Sequence, residues 1–377
     1  MMRNIGTLYR FELKKILHNK LTIAMLLLVC GLSIILGINP GDSESNAVRE
    51  LQHSINGRAI DNTLLSEMYQ VIDDYAIAWN ESNTAYERVA YVEKEIIGSS
   101  EILRNYSADE MYEIRESDMF AMMNADHMTD DEIDWWAEKE SQVKKPFVYE
   151  YMGGPFLLSM VLSTMCLLMI ILSAMCLSTV FAGEHRQRTD QMVLSCVNGR
   201  KETYFAKIAA GATFLLCVFI ISMILLAIVI YFRKGLDGMN TMVQLELPFS
   251  AYPLSIGKFI VIQIVIMIVA TIFFAIVGMV FSEVFRNGLP VMGLMIGCYL
   301  AVTLFDIPSK FRVASQIAAC APTGILSVWS LYDHRLVKLG GHFFTNYQIA
   351  PIVYVLIAIV LYILGRKLYC SFQVSGR

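Results

Sequence analysis

Six stretches of this chain each run without a single Asp, Glu, Lys or Arg for about as long as a bilayer is thick. They are Leu21 to Ile38, Pro155 to Ala182, Ile208 to Phe232, Phe259 to Phe281, Leu289 to Phe305 and Ile349 to Leu364. A span needs roughly 20 apolar residues at about 1.5 Å rise each. In hydrocarbon the backbone must satisfy its own hydrogen bonds, so uncharged blocks of this length can only be helices. The expected fold class is therefore an all-α polytopic membrane protein with six transmembrane helices. Composition agrees: 56% of residues are hydrophobic and the mean hydropathy is +0.52.

The short segments between the blocks set the orientation, because Lys and Arg resist translocation. With the N-terminus inside, residues 1–20, 183–207, 282–288 and 365–377 are cytoplasmic. They carry Arg3, Arg10, Lys14, Lys15, Lys20, Arg186, Arg188, Arg200, Lys201, Lys207, Arg286, Arg366, Lys367 and Arg377. The acids among them are Glu12, Glu184, Asp190, Glu202 and Glu283. The loops at 233–258 and 306–348 and the insertion at 39–154 then lie outside, and residues 40–153 hold 25 acids against nine Lys and Arg. The expected arrangement is N-in, C-in, in the plasma membrane of a bacterial cell, with the first block an uncleaved anchor.

The outer insertion reads as a small helical domain. Ser107-Ala-Asp-Glu110 and Thr129-Asp-Asp-Glu132 are capping-box signatures. Tyr69, Ile72, Tyr75, Trp79, Trp135 and Trp136 offer it a core. The acids Asp130, Asp131, Glu132 and Asp134 fit no calcium-loop spacing and suit a helix N-terminus. None of the eight cysteines falls between Asn39 and Gly153, and the six histidines show no metal spacing, so no disulfide framework, metal or bound cofactor is expected. Residues 311–331 are mostly apolar but broken at Pro322-Thr323-Gly324, which suits a re-entrant or interfacial element.

Two cytoplasmic segments carry the functional signal. Ile5, Leu8, Tyr9, Leu13, Ile16 and Leu17 recur at helical spacing with Arg3, Arg10 and Lys14 opposite, predicting an amphipathic helix that feeds the first span. After the second span, Thr189 can cap a short helix whose Met192, Val193, Cys196 and Val197 share a side. Asn198-Gly199 then turns the chain, and Arg200 and Lys201 anchor the next span.

This loop resembles the coupling region of ABC-transporter permeases of the type-2 export class. Those read Glu-x-x-x-Gly-Thr, a Leu-rich helix, Thr-Pro-x-x-Arg, then x-Glu and a Lys. Here Glu184, Thr189, Leu194, Arg200, Glu202 and Lys207 follow in that order, with Arg188 in place of the Gly and Val197 in place of the Pro. Phe11-Glu12-Leu13-Lys14-Lys15 and Lys145-Pro146-Phe147 resemble the same family's lead-ins to spans one and two. The resemblance implies a non-catalytic permease subunit that pairs with a second, identical or different, permease. Two cytoplasmic ATPase subunits supply ATP and Mg, meeting this chain at Glu184, Arg188, Thr189, Met192, Val193 and Arg200. The chain itself has no Gly-x-x-x-x-Gly-Lys-Ser/Thr segment to cradle a phosphate. Partners are then those subunits and the lipid bilayer, with no nucleic acid, and the cargo an amphipathic compound, peptide, drug or lipid. A secondary transporter, using polar groups such as Gln263 or Thr271, and a sensor working through the outer domain are the competing readings.

Overall fold

The computed structural model describes residues 2–39, 46–71, 85–98, 106–187, 200–305 and 307–371. Its described helices begin with α1 (Met2–Leu17) and α2 (Lys20–Ile38). The insertion follows as α3 (Asn46–Ser54), α4 (Asn62–Val71), α5 (Glu87–Ile97), α6 (Ala108–Ala125) and α7 (Asp130–Glu140). Next come α8 (Gly153–Leu172), α9 (Ala182–Gln187), α10 (Lys201–Lys234), α11 (Ile256–Phe285) and α12 (Gly288–Leu304). The chain ends with α13 (Arg312–Ala319), α14 (Pro322–Ile325), a hairpin of β1 (Leu336–Leu339) and β2 (His342–Thr345), and α15 (Asn346–Ser371).

Among the described residues five helical stretches are long and apolar enough to cross a membrane: α2, the run Gly153–Gln187, α10, α11 and α15. They are compatible with a multi-pass membrane protein. The block expected as a sixth span, 289–305, is the helix α12 of 17 residues. At about 1.5 Å per residue it reaches about 25 Å, short of a typical hydrocarbon core of about 30 Å. Its limits are chemical. Asn287 caps the start by accepting from the Leu289 N–H at 3.2 Å, and Phe305 leaves helical geometry shortly before Pro308. The fold is mostly helical but not wholly so, because β1 and β2 pair antiparallel with Leu336 opposite Thr345 and Leu339 opposite His342. Gly340 and Gly341 take φ of 58° and 85° at the tip, the two positive values a tight hairpin turn requires.

In the membrane-helix bundle α8 is the most enclosed, packed by α2, α10 and α11, while α2 and α15 bury little of their surface. The starts of α10 and α12 lie with the ends of α9, α11 and α15, and α1 lies beside them. This end is called the base; the insertion sits at the other end, the cap. The first turn of α8 touches the C-terminal end of α10 so closely that a Cβ on Gly154 would fall 1.9 Å from the Gly235 carbonyl. Glycine is required there.

The cap folds as the sequence predicts locally. Glu110 accepts from the Ser107 N–H at 2.8 Å and Glu132 from the Thr129 N–H at 2.9 Å, the return bonds of two capping boxes. Residues 147–149 bond back to 57–60, closing the domain at the head of α8. Side chains then join it to the other two loops. Arg115, wholly excluded from solvent, forks onto Glu140 at 2.5 and 3.2 Å and donates to the carbonyls of Pro248 and Ser250. Trp136 Nε1 donates to the His334 carbonyl at 2.5 Å. Glu132 pairs with Arg312, and Asp131 with Lys338 at 2.9 Å. The acids that open α7 are thus partly spent on holding the last loop. Within that loop, α14 starts at Pro322 and rests against the middle of α8, with Ser163 Oγ donating to the Thr323 carbonyl at 3.3 Å.

Candidate functional site

Charges belong in water, so a group of them buried where helices converge marks a place with a job. At the base, Lys207 of α10 is wholly buried, with its Nζ 2.6 Å from Glu184 Oε1 and 3.0 Å from Glu12 Oε2. Lys15 Nζ reaches the same Glu184 oxygen at 2.5 Å from its half-exposed position on α1. The Lys207 ammonium also stands 5.5 Å from the centre of the Phe181 ring, within cation–π range. Two carboxylates and two ammonium groups therefore balance, and this offsets the desolvation of Glu12, Glu184 and Lys207.

Local sequence places each member. Glu12 falls on the inward stripe of α1 with Tyr9, Leu13 and Ile16. The inward face differs from the expected one at Leu17, which is exposed. Lys207 sits on the buried face of α10 among Tyr204, Ile208 and Gly211. Around the ions, Phe181, Tyr204 and Tyr369 stack at centroid separations of 5.5 to 5.7 Å. Gly365 lets α15 pass this wall, since a Cβ there would lie 2.4 Å from the Tyr204 hydroxyl. A second pair, His185 Nε2 to Glu283 Oε2 at 2.8 Å, ties α9 to the end of α11.

Of the site residues read from sequence, Glu184 and Arg200 are described; Arg188, Thr189, Met192 and Val193 lie outside the described residues, as do Cys196 and Val197. Glu184 is buried in the quartet. Arg200 is exposed and donates to the Cys370 carbonyl at 3.0 Å, fixing the start of α10 to the end of α15. Glu12 and Lys15 join the site through tertiary packing that the loop motif alone did not contain. The signal that finds Glu12 is its position, one acid inside an apolar stripe of period 3.6. Among the described residues no group of three or more His, Cys, Asp or Glu could hold a metal ion.

Deeper in the bundle one polar side chain is fully paired with protein and another is not. Gln263 accepts from Ser159 Oγ at 2.8 Å and donates to the carbonyls of Ser159 and Leu326. The Thr271 hydroxyl has no partner among the described residues. No known family's sequence model matches this chain, and neither the curated proteins nor the solved structures contain a match to it.

Proposed function

We propose that this chain is the membrane-spanning subunit of an ATP-driven exporter, with residues 188–199 as the docking element for a separate ATPase. The observation that carries the reading is the ion quartet formed by buried Glu12, Glu184 and Lys207 with the half-exposed Lys15. It binds the surface helix α1 to both helices from which residues 188–199 emerge. A loop that receives force needs such a footing, because a push on it must move whole helices instead of bending side chains. In this reading Glu184 works from the interior, holding the footing. Direct contact with the ATPase falls to residues 188–199 and to the exposed Arg200. The N-in, C-in topology places the quartet at the cytoplasmic face, and the short basic segments support that orientation.

The test is affinity purification of the tagged full-length chain from its native membranes in mild detergent. A soluble partner with a phosphate-cradling Gly-rich loop should co-purify in stoichiometric amount and be lost when residues 188–199 are replaced by Gly-Ser repeats. Recovery of the chain without an ATPase, under conditions that keep other transporter complexes whole, sinks the reading. The secondary-carrier alternative gains nothing from Gln263, whose amide is bonded on both sides.

A further inference from the structure

The second membrane helix is not continuous. After Leu172 the α-helical ladder widens into a π segment, Ser173–Leu177, then breaks into turn at residues 178–181 before α9 resumes at Ala182. A π segment inserts a residue into the ladder and weakens it, and such places recur where helices must move. The break is stapled from α11. Ser282 Oγ accepts from the Phe181 and Ala182 N–H groups at 3.2 and 3.0 Å and donates to the Ser178 carbonyl at 2.5 Å. One hydroxyl has one donor and two acceptor sites, so all of Ser282 is spent on the break. Above it, Ser173 Oγ donates to the Phe274 carbonyl at 2.8 Å, and Gly278 brings α11 close enough that a Cβ would lie 2.8 Å from that oxygen.

We propose that residues 173–181 form a hinge, with Ser282 as its latch, so that α9 can pivot while α8 stays fixed. The upper part, α8, is held by the cap domain and by close packing on α10 at Gly154. The lower part, α9, is tied to its neighbours by side chains, Glu184 to Lys207 and Lys15, and His185 to Glu283. Between the two the backbone ladder thins to a few turn bonds, such as Val180 N–H to the Leu177 carbonyl at 3.1 Å and Gly183 N–H to the Thr179 carbonyl at 2.8 Å. The inference does not depend on an ATPase docking below.

Hydrogen–deuterium exchange of the full-length protein in phosphatidylcholine–phosphatidylglycerol nanodiscs, read by mass spectrometry, tests the hinge. Residues 203–210 of α10 and 278–281 of α11 lie at the same level and serve as the depth control. Amides of 177–183 should exchange roughly tenfold or more faster than these controls. Ser282→Ala should accelerate 177–187 again by roughly tenfold, the scale of lost hydrogen bonds, and leave 156–170 and the cap unchanged. Ser282→Thr, which keeps the hydroxyl, should resemble the wild type. Equal protection of 177–183 and the controls in the wild type overturns the hinge, and that comparison stands even where Ser282→Ala yields no folded protein. Uniform acceleration throughout the helices in Ser282→Ala overturns the latch, as that is general loosening.

Discussion

Lys207 Nζ lies 2.6 Å from Glu184 Oε1 at a point where the lysine has no exposure at all. Glu12 and Lys15 complete the set from a different helix, so ion pairs join α1 to α9 and α10 at the base of the bundle.

Removing both members of a pair should therefore cost less than the sum of removing each. Lys207→Met leaves Glu12 and Glu184 facing each other with only Lys15 between, an uncompensated burial worth roughly 3–5 kcal/mol. Glu184→Gln should destabilise similarly. The double variant, with its charges again balanced, should lose clearly less than the sum. Thermal unfolding of the four proteins in detergent gives the cycle. Additive losses would mean the pair is not coupled.

At the cap, Arg115→Met should strand the Glu140 carboxylate, which keeps only Lys145 at 3.1 Å, and free the Pro248 and Ser250 carbonyls. The expected loss is again roughly 3–5 kcal/mol. Limited proteolysis should show faster cleavage at 246–252 while the base stays protected. Unchanged cleavage there would show that the arginine does not hold the loop.

Two glycines should respond oppositely to the same substitution. Gly293 has nothing within 4 Å of an added Cβ, so Gly293→Ala should stabilise α12 by up to about 1 kcal/mol through helix propensity. Gly154→Ala must push α8 from the Gly235 carbonyl and should destabilise despite the same propensity gain. Melting temperatures of the two variants decide it. The argument fails if they shift alike.

Stability against pH should hide two opposing titrations. Burial holds the Glu93 carboxyl up at about 7 from its ordinary 4.5, against the Tyr69 hydrogen bond. The fold thus binds its proton more tightly, and the stability it contributes is full below 4.5 and is lost as pH rises through 7. Burial pushes His334 down to about 4 from 6.5. Its contribution is full above 6.5 and is lost as pH falls through 4. Between pH 4.5 and 6.5 the slopes cancel. Glu93→Gln should then unmask stability rising with pH from 4 to 6.5, and His334→Gln stability falling from 4.5 to 7, each by up to about 1.4 kcal/mol per pH unit. Urea titrations of the full chain across that range would show both, and identical slopes in the two variants would refute the assignment.

Much of this fold was legible in the chain because its signals are local. Uncharged blocks specify membrane-length helices one at a time, and Ser107 with Glu110 or Thr129 with Glu132 specifies a helix start within four residues. The hairpin of Leu336–Leu339 and His342–Thr345 departs from the re-entrant or interfacial helices expected over 306–348, since a reading centred on the apolar stretch 311–331 passes over the strand signals around Gly340-Gly341. The base site was half legible. Glu184 and Lys207 follow one another in a recognisable loop, whereas Glu12 lies 195 residues before its lysine and is brought there by packing. Nothing local announces the π segment at Ser173, whose residues are ordinary small and apolar ones and which lies against α11.

The bond from Trp136 to the His334 carbonyl joins residues 198 positions apart, and Arg115 reaches Pro248 across 133. A ribosome adds about 5–20 residues each second, so the finished cap must wait roughly 10–40 s for the last loop to be made. The Arg115–Glu140 pair lacks its cover until Pro248 and Ser250 are made, and the Trp136 ring waits longer, for His334. Biogenesis of this protein therefore passes through an obligatory half-built stage, in which its cap is folded by its own helices but open on the side facing the membrane helices still to come.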